Sequence, residues 1–266
     1  MEREQAILID TITRAGSRAL ELATRGFDVL TKKDRSPVTT ADLEVNRILH
    51  EMQREHFPDD GWLSEESPDD AGRLGKHRVW VVDPIDGTKA YVERLPEYCI
   101  SVALVEEDKP VLAAIFNPSS DELFTAIRDH GLVLNGKPIS PILQRETAPL
   151  LGVNPRDFRN GRWSRLGARF NCRPMHSIAN SLALVSAGRL HAALTIEPQN
   201  EWDLAAGVLL IQESRGIVTD ALGKPFTFNH SDPRCLGVIA VAATAEQDLH
   251  QFLQFHADKA RTMGKH

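Results

Sequence analysis

The sequence predicts an α+β chain in which sheets and helices stack in layers, rather than a simple parallel fold. Three observations carry this expectation. Helical periodicity opens the chain, a run of apolar strands split by tight turns fills its middle, and helices alternate with single strands in its second half. At 266 residues and 42% hydrophobic content the chain can bury a large core. It reads as one unit built from two joined halves, 1–145 with an antiparallel sheet and most of the site, and 146–266 completing it.

Residues 3–24 read as a helix because Leu8, Ile12, Ala15, Ala19 and Leu22 recur at alternating steps of four and three. A polar stretch at 31–36 leads to Pro37. A second helix begins near Thr39 or Thr40, carries Val45, Ile48, Leu49 and Met52 as its stripe, and ends at Phe57-Pro58. Residues 59–77, rich in acids, Gly and Pro, are expected to form a loop. Residues 79–82 form an apolar run suited to a buried strand. Strands at 100–105, 111–116 and 122–127 and a hairpin at Asn135-Gly136 continue as an antiparallel meander. Next come a short strand at 149–153 and an irregular basic segment at 156–173. A helix over 177–188 stops at Gly188, and a strand covers 192–196. A helix over 203–215 stops at Gly216, and a strand at 237–243 leads to a C-terminal helix.

The net charge of −6 argues against a polyanion-binding surface, but not against one local site for a small phosphorylated ligand. The basic segment holds Phe158, Trp163 and Phe170, yet it is short and sits on an acidic chain. It reads as a solvated or dimer-facing loop rather than a nucleic-acid surface. Cys99, Cys172 and Cys235 are widely spaced, without CxxC or His pairs, which fits reduced thiols. The charged residues 1–5 run into an amphipathic pattern, not a signal peptide, and no apolar run approaches the roughly 20 residues that span a bilayer. The expectation is a cytoplasmic protein.

Asp83-Pro84-Ile85-Asp86-Gly87-Thr88 is the most informative stretch. Two carboxylates at a strand end converge on one point if the chain turns, and Pro84 and Gly87 favour a turn. Carboxylate oxygens suit Mg²⁺, while Gly87-Thr88-Lys89 offers backbone N–H groups, a hydroxyl and a cation to a phosphate. Asp203 opens a helix that is apolar on almost every side. Such an Asp ordinarily caps the helix, but a buried one needs a partner, and a metal ion is one. Glu65 and Glu66 precede the strand that delivers Asp83; loop acids of this kind are ordinarily solvated. Thr39-x-x-Asp42 fits a capping box. Together Glu65, Asp83, Asp86 and Asp203 supply donors for two Mg²⁺ ions sharing Asp83. Glu65 and Thr88 would hold the nucleophilic water, and Asp42 would orient it or recruit a third, weaker metal.

Glu65-Glu66, then Asp83 to Thr88, then Trp202-Asp203-Leu204-Ala205-Ala206-Gly207, in that order, resemble the inositol monophosphatase superfamily of Mg²⁺-dependent, lithium-sensitive phosphomonoesterases. The resemblance implies a layered αβαβα sandwich. It implies metal ligation by Glu65, Asp83, Asp86, the Ile85 carbonyl and Asp203, with phosphate on the Gly87 and Thr88 backbone. Ser36-Pro37-Val38-Thr39-x-Ala41-Asp42, Lys89 and Pro198-Gln199-Asn200-Glu201-Trp202-Asp203 are similar to the 3′(2′),5′-bisphosphate nucleotidase branch. Ala90-Tyr91 departs from that branch, where Glu-Phe is usual, and a small residue at Ala90 is similar to histidinol phosphatases. The substrates expected, in order, are adenosine 3′,5′-bisphosphate, inositol 1-phosphate and histidinol phosphate. Ser177 and Glu197 are the candidate sugar-side contacts, each equally readable as a cap or a solvated strand end. A non-catalytic phosphate-binding regulator is the reading from another class. The resemblance leaves oligomeric state open between monomer and homodimer.

Overall fold

In a computed structural model the described residues are 1–32, 36–141, 148–160, 163, 169–245 and 248–263. The chain opens with α1 (Glu2–Arg25), a short hairpin of β1 (Val29–Thr31) and β2 (Pro37–Thr39), and α2 (Thr40–His56). Then come β3 (Gly61–Ser64), β4 (Arg78–Asp86), α3 (Thr88–Val92), β5 (Cys99–Glu106), β6 (Lys109–Asn117), β7 (Glu122–Ile127), β8 (Leu132–Leu134) and β9 (Lys137–Ile139). These seven strands form one sheet in chain order, antiparallel except for the parallel pair β3–β4.

The later chain holds β10 (Leu150–Val153), α4 (Pro155–Arg159), β11 (Asn171–Pro174), α5 (Ile178–Ser186), β12 (Ala192–Thr195), β13 (Gln199–Asn200) and α6 (Glu201–Glu213). It ends with β14 (Ile217–Thr219), β15 (Arg234–Cys235), β16 (Val238–Val241) and α7 (Leu249–Met263). Five of these strands make a second, mixed sheet in the order β11-β10-β12-β16-β14.

Three apolar clusters define the layers. Leu8, Ile12 and Leu49 of α1 and α2 pack on Trp80, Val82 and Leu112 from one face of the large sheet. Val81, Ala103 and Ile115 from its other face join α5, α6 and Ala193 and Ala240 of the small sheet. Leu151, Leu194 and Val241, on the far side of the small sheet, meet Leu249 and Leu253 of α7. The result is an αβαβα sandwich, as expected. α6 lies in the middle layer, so it is apolar all round, with residues 204–211 buried. Gly207 permits the close approach to α5, since a Cβ there would lie 2.4 Å from Leu182 Cδ1.

Several local expectations are corrected. The loop at 59–77 contains the edge strand β3 and a 3₁₀ turn, Ala71–Gly75. The segment at 156–173 contains α4 and β11, with residues 161–162 and 164–168 outside the described set. Its Trp163 and Phe170 are buried against the small sheet and α7, leaving only Phe158 of the three rings exposed. The helix that carries Asp203 begins two residues earlier than the sequence suggests. Asp203 is its third residue, and Asn200 is the cap.

Candidate active site

Strand register assembles the acids. The parallel pair β3–β4 sets Ser64 beside Val82, and Glu65 N–H donates to Val82 O at 3.2 Å, so Glu65 enters next to Asp83. On its other side β4 pairs with β5, but the register slips between Asp83 and Asp86. That bulge bends the strand end, as bulges near active sites do. The Ile85 N–H donates back to Asp83 Oδ1 at 2.9 Å and closes the turn. Gly87 follows with φ +93°, where a Cβ would lie 2.8 Å from Glu97 O. Here only glycine fits, for both conformation and space.

α6 supplies the third acid from the other half of the chain. Asp203 accepts from Asn200 N at 2.7 Å, completing a capping box. Ligand-capable oxygens of Asp83, Asp86 and Asp203 all lie within 4.8 Å of one another. Withdrawal from water pushes all three carboxyls above their ordinary range, and repulsion from Glu65 adds to this at each, joined at Asp83 and Asp203 by repulsion from the neighbouring aspartates; at Asp86 the hydrogen bonds from Ser177 and Ala179 oppose it. A divalent cation relieves such crowding, and an all-oxygen donor set suits a hard one.

Glu65 lines the same cavity as these three, but its carboxylate receives Lys32 Nζ at 2.7 Å. The same ammonium meets Glu66 Oε1 at 2.5 Å. Burial drives the Glu66 carboxyl up to about 7 despite that contact. Lys32 lies in the stretch between β1 and β2, and nothing in its sequence context marks it as a partner of Glu65.

Asp42 completes the capping box of α2 with the cap Thr39 and also reaches the site from behind. Its Oδ2 accepts from Thr39 N (2.7 Å) and Thr39 Oγ1 (2.5 Å), while its Oδ1 lies 3.2 Å from Thr88 Oγ1. The Thr88 hydroxyl is equally close, at 3.1 Å, to Ile85 O. With one proton to donate, it satisfies one of them at a time. Asp42 is buried and does not line the cavity, so it reaches the cavity through Thr88.

Ser177 is fully buried behind Asp86. Its hydroxyl donates to Asp86 Oδ2 at 2.7 Å and accepts from Asn180 N at the start of α5. Ala179 N donates to the same Asp86 oxygen at 2.6 Å. Asp86 thereby ties the large sheet to the middle helical layer.

The cavity has two chambers. The inner one, about 190 Å³, is lined by Glu65, the three aspartates, Ile85, Gly87, Thr88, Asn154, His176 and Asn200, among others. The outer one, about 760 Å³, opens past Lys89, Arg156, Arg159, Glu93 and Glu197. Glu197 lies 3.7 Å from Arg156. Sequence reasoning missed Asn154, His176, Gln199 and Asn200. They lie on strand ends and caps of the second half: Gln199 and Asn200 belong to the stretch before Asp203, where only Asp203 reads as a site residue, while Asn154 and His176 belong to no motif, and the stacking of the two sheets brings all four to the acids. Among the described residues no helix is long and apolar enough to cross a membrane.

Comparison with known proteins agrees with this architecture. A model of the inositol monophosphatase family matches residues 1–258. Inositol monophosphatase 2 of Solanum lycopersicum is 33% identical over 235 residues, covering 82% of this chain and 89% of that protein. The 3′(2′),5′-bisphosphate nucleotidase CysQ of Escherichia coli is 30% identical over 209 residues, covering 77% and 85%. The solved structure of an IMPase from Thermotoga maritima superposes with a TM-score of 0.85 at 26% identity, over 99% of both chains. The family is metal-dependent, and its members are phosphoric monoester hydrolases acting on small phosphorylated substrates. With its fold, its motif order and its acid cluster all of one kind, the chain belongs to the inositol monophosphatase family and is a phosphatase.

Proposed function

We propose that this chain is a Mg²⁺-dependent phosphomonoesterase whose preferred substrate is a 3′(2′),5′-bisphosphate nucleotide, adenosine 3′,5′-bisphosphate yielding AMP. Asp83, Asp86 and Asp203, with the Ile85 carbonyl and Glu65, would hold two or three Mg²⁺ ions. When bound, Mg²⁺ offsets charge on the phosphoryl oxygens and acidifies the attacking water. The residues themselves do the rest. Backbone N–H groups at Gly87 and Thr88 receive the phosphoryl oxygens. The Thr88 hydroxyl, its proton committed to Asp42 or Ile85 O, offers a lone pair to the water. Glu65, on the same wall, takes one proton from the water, while the other stays on its oxygen and points to Thr88. Water then adds to phosphorus as the ester oxygen departs.

The observation that carries the substrate choice is the outer chamber. Lys89, Arg156 and Arg159 line it, and among the described residues Lys89 and Arg159 have no ion-pair partner. A ligand with a second phosphate would place it there. Inositol 1-phosphate and then histidinol phosphate are the alternatives, and each would leave these cations unanswered. We further propose that the protein works in the cytoplasm as one folded unit and is inhibited by lithium.

A phosphate-release panel over the three substrates, with Mg²⁺ and with lithium added, tests the reading. Adenosine 3′,5′-bisphosphate should give the highest kcat/KM, and Asp83→Asn should nearly abolish release. A preference of about tenfold (near 1.4 kcal/mol) for inositol 1-phosphate overturns the substrate choice. Turnover of Asp83→Asn within about tenfold of wild type overturns the mechanism. Ligand binding without turnover would favour the non-catalytic regulator.

A further inference from the structure

His176 stands at the neck between the two chambers. The residues lining both are Glu65, Gly87, Thr88, Asn154, His176, Gln199 and Asp203. Of these, His176 alone has a side chain able to carry positive charge and release a proton near neutral pH. It lies between β11 and the capping residue Ser177, and its side chain is 27% exposed.

A second carboxylate, outside the metal cluster, orients it. His176 Nδ1 is 3.1 Å from Glu97 Oε2, and Arg173 Nη2 donates to the other oxygen, Glu97 Oε1, at 2.8 Å. Partial burial pulls the Glu97 carboxyl up, but the hydrogen bonds from Arg173 and His176 outweigh it and hold it below its ordinary range. Glu97 is itself anchored, because its backbone oxygen packs against the Gly87 turn. A carboxylate on Nδ1 holds a proton there and fixes the orientation of the ring. Nε2 has no protein partner among the described residues.

Resting on the phosphatase reading above, we infer that His176, oriented by Glu97, is the acid that protonates the departing ester oxygen. With the phosphoryl group in the inner chamber and the alcohol portion in the outer one, the bond between them crosses the neck. Water forms the new P–O bond. The ester P–O bond breaks, its electron pair stays on the ester oxygen, and the Nε2 proton completes the hydroxyl. Solvent then returns a proton to the imidazole. Glu97 and Arg173 act through His176 and are positioning residues.

Leaving-group dependence distinguishes a proton donor from a structural residue. The wild type, His176→Gln and His176→Ala are compared on whichever sugar phosphate the wild type hydrolyses fastest, and on p-nitrophenyl phosphate, whose phenolate leaves without a proton. On the sugar phosphate both variants should lose about a hundredfold or more in kcat. On p-nitrophenyl phosphate they should stay within about threefold. His176→Gln keeps a hydrogen-bond donor, so its equal loss would point to proton transfer rather than contact. Parallel losses on both substrates, or no loss on the sugar phosphate, overturn the inference and leave the proposed function standing. A wild type inactive on every monoester in Mg²⁺ overturns the proposed function, and this inference with it.

Discussion

Replacing Gly87 with alanine tests the turn on which the site is built. Two costs arise there. The backbone at φ +93° is left-handed, which costs an L-residue about 1–2 kcal/mol. The new Cβ would also sit 2.8 Å from Glu97 O and 3.2 Å from Ser177 Cβ. The first contact is with backbone, so the turn itself must shift, adding about 1–3 kcal/mol of overpacking. The sum, about 2–5 kcal/mol, should lower Tm by about 5–15 °C in a chain of this size. Gly26→Ala is the control. Its φ is +106°, but nothing lies within 4 Å of the new Cβ, so it carries backbone strain alone and lies outside the cavity. Thermal unfolding by circular dichroism and phosphate release are measured on both. Gly87→Ala should lose stability and fall about a hundredfold in activity, because Asp86, Thr88 and Glu97 all move with the turn. Gly26→Ala should lose stability and keep activity within about twofold. Gly87→Ala with both quantities near wild type would refute the argument.

Ser177→Ala removes the cap of α5 and the hydroxyl that donates to Asp86 Oδ2, so we expect a loss of about 2–4 kcal/mol in denaturant unfolding and weaker Mg²⁺ binding. If Ser177 instead touched substrate, KM would rise with stability unchanged. The acid cluster also predicts a pH dependence. In the folded, metal-free protein Asp83, Asp86 and Asp203 are raised, chiefly by burial. Their contribution to stability is therefore present below the ordinary carboxylate range and is lost as pH rises through the raised values. Chelator-treated protein should show a lower Tm at pH 8 than at pH 6, and Mg²⁺ should remove the difference. An unchanged difference with Mg²⁺ would contradict a cation at this cluster.

Much of this was legible in the sequence where chemistry is local. The stripes of α1 and α2, the meander strands and the all-apolar α6 are written in side-chain periodicity, and the Asp83–Thr88 turn carries its own Pro and Gly. The layered order was legible through the resemblance. Less legible was whatever depends on contacts between distant segments. Ser177 reads as a helix cap and is one, but its bond to Asp86 depends on how α5 seats against β4. Asp42 fits a capping box and also reaches Thr88, a second role that needs the fold. Lys32, which claims Glu65, and His176, held by Glu97, sit in no motif. The short β3 was hidden in an acid- and Pro-rich stretch because only four residues pair, yet its parallel register sets Glu65 beside Asp83.

In the proposed site, acids from two halves of the chain converge on one cation. Calorimetric titration of Mg²⁺ into wild type and Asp203→Asn tests it most directly. Asparagine keeps the acceptor that Asn200 N uses at the start of α6, so the fold is preserved while one ligand charge is lost. Affinity should drop about tenfold or more (at least about 1.4 kcal/mol), with Tm of the metal-free protein unchanged or raised. Equal Mg²⁺ affinity in the two proteins would mean that Asp203 and the Asp83–Asp86 pair do not share an ion.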